Sequence, residues 1–328
     1  MMTNKDFEKK QFLFVLANEG EKISFSNDNL LVKNKDGKVK IQCTCYRLFV
    51  VFIVGNCSLT TVVLQRAKKF GIRIALLTNS YRLYSVIGAE KDGNFLLKRK
   101  QYSYDSIDIA RWLISNKIDN QILVLKKIRH KTDFIKDAIT LMKQYKTDLI
   151  SCVTINSLMA YEGLASKLYF QVHFASCNWK GRQPRLKRDI VNSVLDIGYT
   201  ILFSLIEALL SAFGFDLYCG VLHTQFYMRK SLVCDLVEPF RCLIDISVKN
   251  AYNLGRIKED DFIIINNQYQ LKWEESGKYI QFLIKPLIDN KNEIYNYIQS
   301  YYRCFMKESE LDKYPVFYVG GANDNNKL

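Results

Sequence analysis

No cysteine pair in this sequence has a second pair at the spacing a structural zinc site needs. The nine cysteines, an odd number, are scattered from Cys43 to Cys304, and Cys43-Thr44-Cys45 is the closest pair. Reduced thiols in a cytoplasmic protein are the simplest account. A signal peptide is not expected, because Met1-Met2-Thr3-Asn4-Lys5-Asp6 runs straight into charged sequence. There is no internal repeat and no low-complexity tract. The apolar run 197–218 is long enough for a membrane span, but it carries Glu207 near its middle and Asp216 near its end. It is expected to be a buried core helix.

What the chain has in excess is positive charge and apolar bulk. Its 47 Lys and Arg against 33 Asp and Glu give a net charge of +14. That balance favours a polyanionic partner, nucleic acid before membrane. With 328 residues, 48% hydrophobic and 13% aromatic, the chain can fill the cores of two domains.

The first third reads as β-rich. Segments 22–25 and 29–32 have strand character, and Asp36-Gly37 offers a tight turn into 39–42. The β-branched and aromatic run 48–54 ends at Gly55 as a buried strand. A helical pattern over 58–70 closes at Gly71, strand resumes over 72–77, and a further strand pair is expected over 81–88 and 94–97. Gly55-Asn56-Cys57-Ser58 lacks the spacing of a nucleotide-binding glycine loop, so Ser58 is expected to cap the helix. From Ser106 onward the apolar spacing turns helical, through Ile107, Ala110, Leu113, Ile114, Ile122, Leu125 and Ile128, and then over 148–174, 189–213 and 231–253. The expected fold is α+β, with a small β-sandwich-like amino-terminal domain containing one helix (1–102). A larger all-α domain (103–310) and a flexible tail (311–328) follow.

Chemistry concentrates in Ser231-Leu232-Val233-Cys234-Asp235-Leu236-Val237-Glu238-Pro239-Phe240-Arg241. On a continuous helix Asp235 and Glu238, three residues apart, share a face. Two carboxylates in a partly buried place repel, and a hard cation relieves them. His223 lies a short loop upstream, after Gly220-Val221-Leu222. Glu162 lies on a predicted helix, with Gly163 leaving room beside it. His130 sits in a basic surface run and is expected to be solvated. His173 follows Glu162 by eleven residues, about 16 Å along a helix, too far to share one ion with it. Between these segments runs a basic loop carrying Lys180, Arg182, Arg185, Lys187 and Arg188, suited to phosphate-backbone contacts.

These residues together resemble the CRISPR-associated spacer-acquisition nucleases and integrases, the family written Cas-one. Glu162-Gly163-Leu164-Ala165-Ser166 is similar to the family's E-G-x-x-A/S helix. Gly220-Val221-Leu222-His223 is similar to its histidine loop, and Asp235-Leu236-Val237-Glu238-Pro239-Phe240-Arg241 to its acidic segment. Arg182-Gln183-Pro184 through Asn192, Leu195 and Gly198-Tyr199 resembles the helix between them. In the first domain, Gly55 through Gly71-Ile72 is similar to the family's strand–helix–strand core. The resemblance covers about residues 20–290, with the motifs in order; Asn178-Trp179-Lys180-Gly181 and the region past Lys285 lie outside it.

The resemblance implies an enzyme of CRISPR adaptation that inserts a DNA fragment into a repeat array by attack of a 3′-hydroxyl on a phosphodiester. It implies Mg²⁺ or Mn²⁺ held by Glu162, His223 and Glu238, with Asp235 a fourth ligand or an acceptor for a metal-bound water. Arg241 and the basic loop are expected to position phosphates, although Arg241 can equally pair with a carboxylate. The implied partners are double-stranded DNA, a second copy of the chain joined through the first domain, and the family's small ferredoxin-like protein (Cas-two). A metal-dependent nuclease that cuts branched DNA without joining is the alternative. A DNA-binding scaffold without catalysis is a third reading.

Overall fold

The computed structural model describes residues 2–88, 93–177, 179, 181–223 and 227–321. The amino-terminal part contains α1 (Asn4–Glu8), β1 (Gln11–Ala17), β2 (Lys22–Ser26), β3 (Asn29–Lys33), β4 (Val39–Thr44), β5 (Leu48–Gly55), β6 (Ser58–Leu59), α2 (Thr61–Phe70), β7 (Arg73–Leu77) and β8 (Leu83–Gly88). Its strands form two four-stranded sheets, in the orders β1-β5-β7-β8 and β4-β3-β2-β6. Strand β5 is buried at every position and pairs in parallel with β1 and β7.

Alternation along β5 decides what each face covers. Val51 and Ile53 join Ile23, Leu30, Val32, Val63 and Ala67 in a core between the sheets and α2. Val50, Phe52 and Val54 belong to the large core shared with the helical part. A strand covered on both faces reads as an unbroken apolar run, as this one does.

The helical part comprises α3 (Phe95–Ser103), α4 (Asp108–Lys126), α5 (Asp133–Asp148), α6 (Ile155–His173), α7 (Ile190–Phe213), α8 (Ser231–Val237) and α9 (Arg241–Asn253). A hairpin of β9 (Phe262–Ile265) and β10 (Gln268–Leu271) follows, then α10 (Ser276–Asp289) and α11 (Lys291–Lys307). Helix α7 is long and apolar enough to cross a membrane, yet most of it is buried in the protein's own core.

Several local expectations are corrected. The strand expected over 94–97 is the start of α3: Asn94 accepts a hydrogen bond from Leu97 N and caps the helix. Ser58 does not cap α2, because Ser58 and Leu59 pair in parallel with β2 and the helix starts after Thr60. The helical domain is not wholly α, since Asn266 and Asn267 turn at positive φ between β9 and β10. Helix 231–253 is interrupted by a 3-10 turn, Glu238–Phe240, that carries Pro239 at its start.

The segment expected to be a loose tail is packed over its described part. Tyr314, Phe317 and Val319 are buried. Asn116 donates to Phe317 O at 2.8 Å and accepts from Phe317 N at 3.1 Å. Asn120 donates to the same carbonyl at 2.8 Å and accepts from Val319 N at 2.7 Å. Two amide side chains on α4 thus clamp this strap as a neighbouring strand would. Residues 322–328 lie outside the described residues.

The Phe317 ring also packs 4.7 Å from that of Phe240, beside the 3-10 turn. Phe317→Ala is expected to cost about 3 kcal/mol, the lower end for emptying a buried phenylalanine site. A chemical-denaturation midpoint that falls with an unchanged slope checks it.

Candidate active site

Helix α7 ends at Gly214, and the chain returns through Gly220-Val221-Leu222-His223 against the first turn of α8. The approach is close enough that a Cβ on Gly220 would lie 2.7 Å from Asp235 Oδ2 and 2.7 Å from Ser231 Cβ. The fully buried Asp235 carboxylate gathers this loop. Its Oδ2 accepts from Val221 N at 2.6 Å and Leu222 N at 3.1 Å. Its Oδ1 accepts from His223 N at 2.9 Å and faces His223 Nδ1 at 2.7 Å. With Nδ1–H donated to the carboxylate, the lone pair of His223 is left on Nε2.

Asp235 and Glu238 therefore engage different partners and do not point into one volume as a continuous helix would have them. The helix ends at Val237, and the tighter turn that follows rotates Glu238 away. Asp235 faces the histidine loop, whereas Glu238 faces α4 and α9. Glu238 Oε1 lies 2.9 Å from Arg241 Nε, and Oε2 lies 2.6 Å from Lys117 Nζ. The same Lys117 ammonium donates to Glu162 Oε1 on α6. Glu162 Oε1 also accepts from Ser166 Oγ at 3.0 Å, and Ser166 in turn accepts from Gln121 on α4.

The charges explain the protonation states. Burial works to raise the Glu238 carboxyl, but Arg241 and then Lys117 outweigh it and hold it at about 2, with His223 adding to the effect. Burial works against the Lys117 ammonium, yet Glu162 and then Glu238 push its pKa above the ordinary lysine value. The pair is more ionic than directional, since the buried Glu238 Oε2 lacks a well-aligned hydrogen-bond donor. The site is partly exposed: side-chain exposure is 23% for Glu162 and 18% for His223, against 5% for Glu238.

A buried polar layer supports these residues. Asp245 on α9 accepts from the hydroxyls of Tyr169 (3.1 Å) and Tyr199. Burial raises the Asp245 carboxyl to about 6, with Tyr199 and Tyr169 opposing the rise. The Tyr199 ring lies between two guanidinium groups, 5.2 Å from Arg182 and 4.7 Å from Arg241. His173 packs on Tyr169 and lies 3.3 Å from Asp245 O, and burial lowers its pKa to about 4. It is a neutral core residue. His130 is exposed.

The basic-loop residues divide by environment. Arg182 is taken up internally, by Asn192 Oδ1 at 2.9 Å and Asp196 Oδ1 at 2.5 Å. Lys187 reaches Ser80 O at 3.1 Å. Arg241 is committed to Glu238 and Tyr199. Only Arg185 and Arg188 have the exposure a phosphate contact needs, and Lys180 lies outside the described residues.

Sequence reasoning missed Lys117. Its signal was present: it stands between Ile114 and Ile118, both fully buried, so a charged side chain occupies the apolar stripe of α4 and must find buried partners.

Among the described residues no three His, Cys, Asp or Glu side chains stand close enough to enclose an ion. Lys117 stands between Glu162 and Glu238. The donor set nevertheless fits a hard divalent cation: two carboxylates, an imidazole nitrogen, and an ammonium standing where positive charge is required.

Between the ordinary aspartate value of 3.8 and about 6, folded Asp245 keeps a proton that the unfolded chain gives up. Stability drawn from this group therefore falls as pH rises through that window. Asp245→Asn removes the linkage. The excess of the wild-type melting temperature over that of Asp245→Asn is expected to shrink across the window and to level off above it, as read from thermal melts against pH.

The family model described as CRISPR associated protein Cas1 matches residues 14–284. A CRISPR-associated endonuclease Cas1 of Thermodesulfovibrio yellowstonii is 30% identical over 276 residues, covering 79% of this chain and 80% of the relative. A namesake from Francisella tularensis subsp. novicida is 28% identical over 241 residues, 70% of this chain and 75% of the relative. Among solved structures, a CAS1 protein from Thermotoga maritima superposes with a TM-score of 0.80 at 17% identity, over 95% of this chain and all of the other. A casposase bound to integration product gives 0.77 at 19% identity, over 97% and 98% of the two chains. The amino-terminal sheets followed by a helical part are the architecture these structures share with it. On its matched length and its close relatives, the chain belongs to the CRISPR-associated Cas1 family.

Proposed function

We propose that this protein is a divalent-metal-dependent DNA integrase of CRISPR adaptation, joining a DNA fragment to a repeat by 3′-hydroxyl transesterification. The observation that carries the reading is the pairing of Glu162 and Glu238 across one ammonium position, with His223 near enough to Glu238 to help lower its carboxyl pKa. The family membership supports it, as do similarities to a casposase bound to integration product and to a Cas6-RT-Cas1–Cas2 complex with a TM-score of 0.81.

Glu162, His223 and Glu238 are assigned as the residues that hold Mg²⁺ or Mn²⁺. When bound, the ion supplies charge stabilisation at the phosphoryl oxygens and at the leaving oxygen. Asp235 acts through His223, fixing its tautomer and ring orientation, and is a positioning residue with its oxygens already engaged. The joining step exchanges one phosphodiester for another: the P–O bond to the incoming 3′-oxygen forms as the bond to the repeat's 3′-oxygen breaks. No nucleotide cofactor is needed. Two such sites, on two copies of the chain bridged by a Cas2-type partner, would treat both ends of one fragment. A nuclease that admits water in place of the 3′-hydroxyl is the second reading, favoured by the relatives' designation as endonucleases.

Strand joining tests this directly. A labelled 3′-hydroxyl fragment is incubated with a supercoiled repeat-bearing plasmid in Mg²⁺ or Mn²⁺, with and without the small partner. Label is expected to enter the plasmid, to be lost on chelation, and to fall at least ~100-fold in His223→Ala with DNA binding retained. Cleavage without joining would move the assignment to the nuclease. DNA binding with neither activity would leave a scaffold.

Arg185 and Arg188 are assigned to phosphates. Arg185→Ala with Arg188→Ala is expected to weaken DNA binding alike for all sequences. The log–log salt dependence should become shallower by about 0.9 for each phosphate no longer neutralised.

A further inference from the structure

Lys117 belongs to no motif that identifies the site, yet it is the cation that holds the site's two carboxylates together. Its Nζ lies 2.6 Å from Glu238 Oε2 and also binds Glu162 Oε1, and its side chain is only 10% exposed. Glu238 has a second cation in Arg241, whereas among the described residues Lys117 is the only cation paired with Glu162. The ammonium bridges helices α6 and α8–α9 from α4, and the pair it neutralises is the one assigned above to the metal.

An ammonium and a divalent ion cannot share that gap. Both need the same two oxygens, and the like charges would stand within a few ångströms in a poorly solvated place. We propose that Lys117 is a resident counter-cation that keeps Glu162 and Glu238 paired before metal arrives, and that metal binds by displacing it. The inference rests on the metal assignment made under the proposed function. Ile114 and Ile118 beside it on α4 are fully buried, whereas Glu162 and His223 are the partly exposed members of the site, so the displaced ammonium moves toward them. Lys117 then presents its three donors on that exposed side, where a phosphate of a DNA strand approaches. One side chain thus serves as carboxylate clamp in the metal-free protein and as phosphate contact in the loaded one, a positioning residue in both states.

The test measures Mn²⁺ binding by calorimetry, without DNA, for the wild type, Lys117→Met and Lys117→Arg. Lys117→Met keeps the length and the apolar stem and removes the competitor. It is expected to bind Mn²⁺ at least ~10-fold more tightly, to melt lower than the wild type without metal, and to gain more in melting temperature when Mn²⁺ is added. Lys117→Arg keeps a competing cation and should bind close to the wild type. A second readout uses the unaltered protein: amine-reactive labelling mapped by mass spectrometry should find Lys117 protected without Mn²⁺ and labelled with it.

Wild type that binds Mn²⁺ while Lys117→Met binds no more tightly overturns the displacement and leaves the metal assignment intact. Lys117 that stays protected in the Mn²⁺-loaded wild type overturns it as well, even if Lys117→Met fails to fold. Absence of Mn²⁺ binding by wild type and variants alike removes the metal assignment and this inference together.

Discussion

Four carboxylates, those of Glu162, Asp235, Glu238 and Asp245, lie among the packed helices of this protein, three of them almost fully buried. Each must be given donors or charge, because an uncompensated buried carboxylate costs more than the packing around it returns. The fold answers in three ways. Asp235 receives three backbone amides and an imidazole. Glu162 and Glu238 receive Lys117, with Arg241 as the second partner of Glu238. Asp245 receives two tyrosine hydroxyls and shifts toward its protonated form. These answers tie α4, α6, α7, α8 and α9 to one another, so the relative placement of five helices follows from charge as much as from apolar fit.

The amino-terminal sheets are part of the same construction. Because β5 is covered on both faces, the core that carries the helices continues through the sheet instead of stopping at a linker. Phe7 of α1 stacks on Tyr295 of α11 with ring centroids 4.1 Å apart, which fastens the start of the chain to its last long helix. Movement of one part against the other would have to open apolar surface along a whole strand.

Most of the architecture was legible in the sequence, because β5, α6 and α7 carry strong periodicity and clear ends. What escaped did so for identifiable reasons. The i, i+3 relation of Asp235 and Glu238 assumed a continuous helix, and a 3-10 turn at Pro239 undid it. The hairpin around Asn266-Asn267 was signalled by three isoleucines before an Asn-Asn turn, but it lay inside the domain expected to be all-α. Lys117 matches no motif quoted from the sequence; its place in an apolar stripe signals that it needs buried partners, but which carboxylates those are appears only once α4 is placed against α6 and the turn after α8. Arg182 and Arg241 looked like phosphate contacts because sequence displays their charge and not the Asp196, Glu238 and Tyr199 that consume it.

The strap over 314–319 is seated by Asn116 and Asn120, and Lys117 stands between them on the same helix. Displacement of the strap would cost Asn116 and Asn120 their hydrogen bonds to Phe317 and Val319, leaving Asn120 its bond to Asn116 O. The two ends of this clamp therefore differ as points of attachment. A fusion partner or affinity handle joined beyond residue 321 leaves the clamp closed, whereas an insertion or cut between 313 and 319 would reach the carboxylate pair without touching one of its residues.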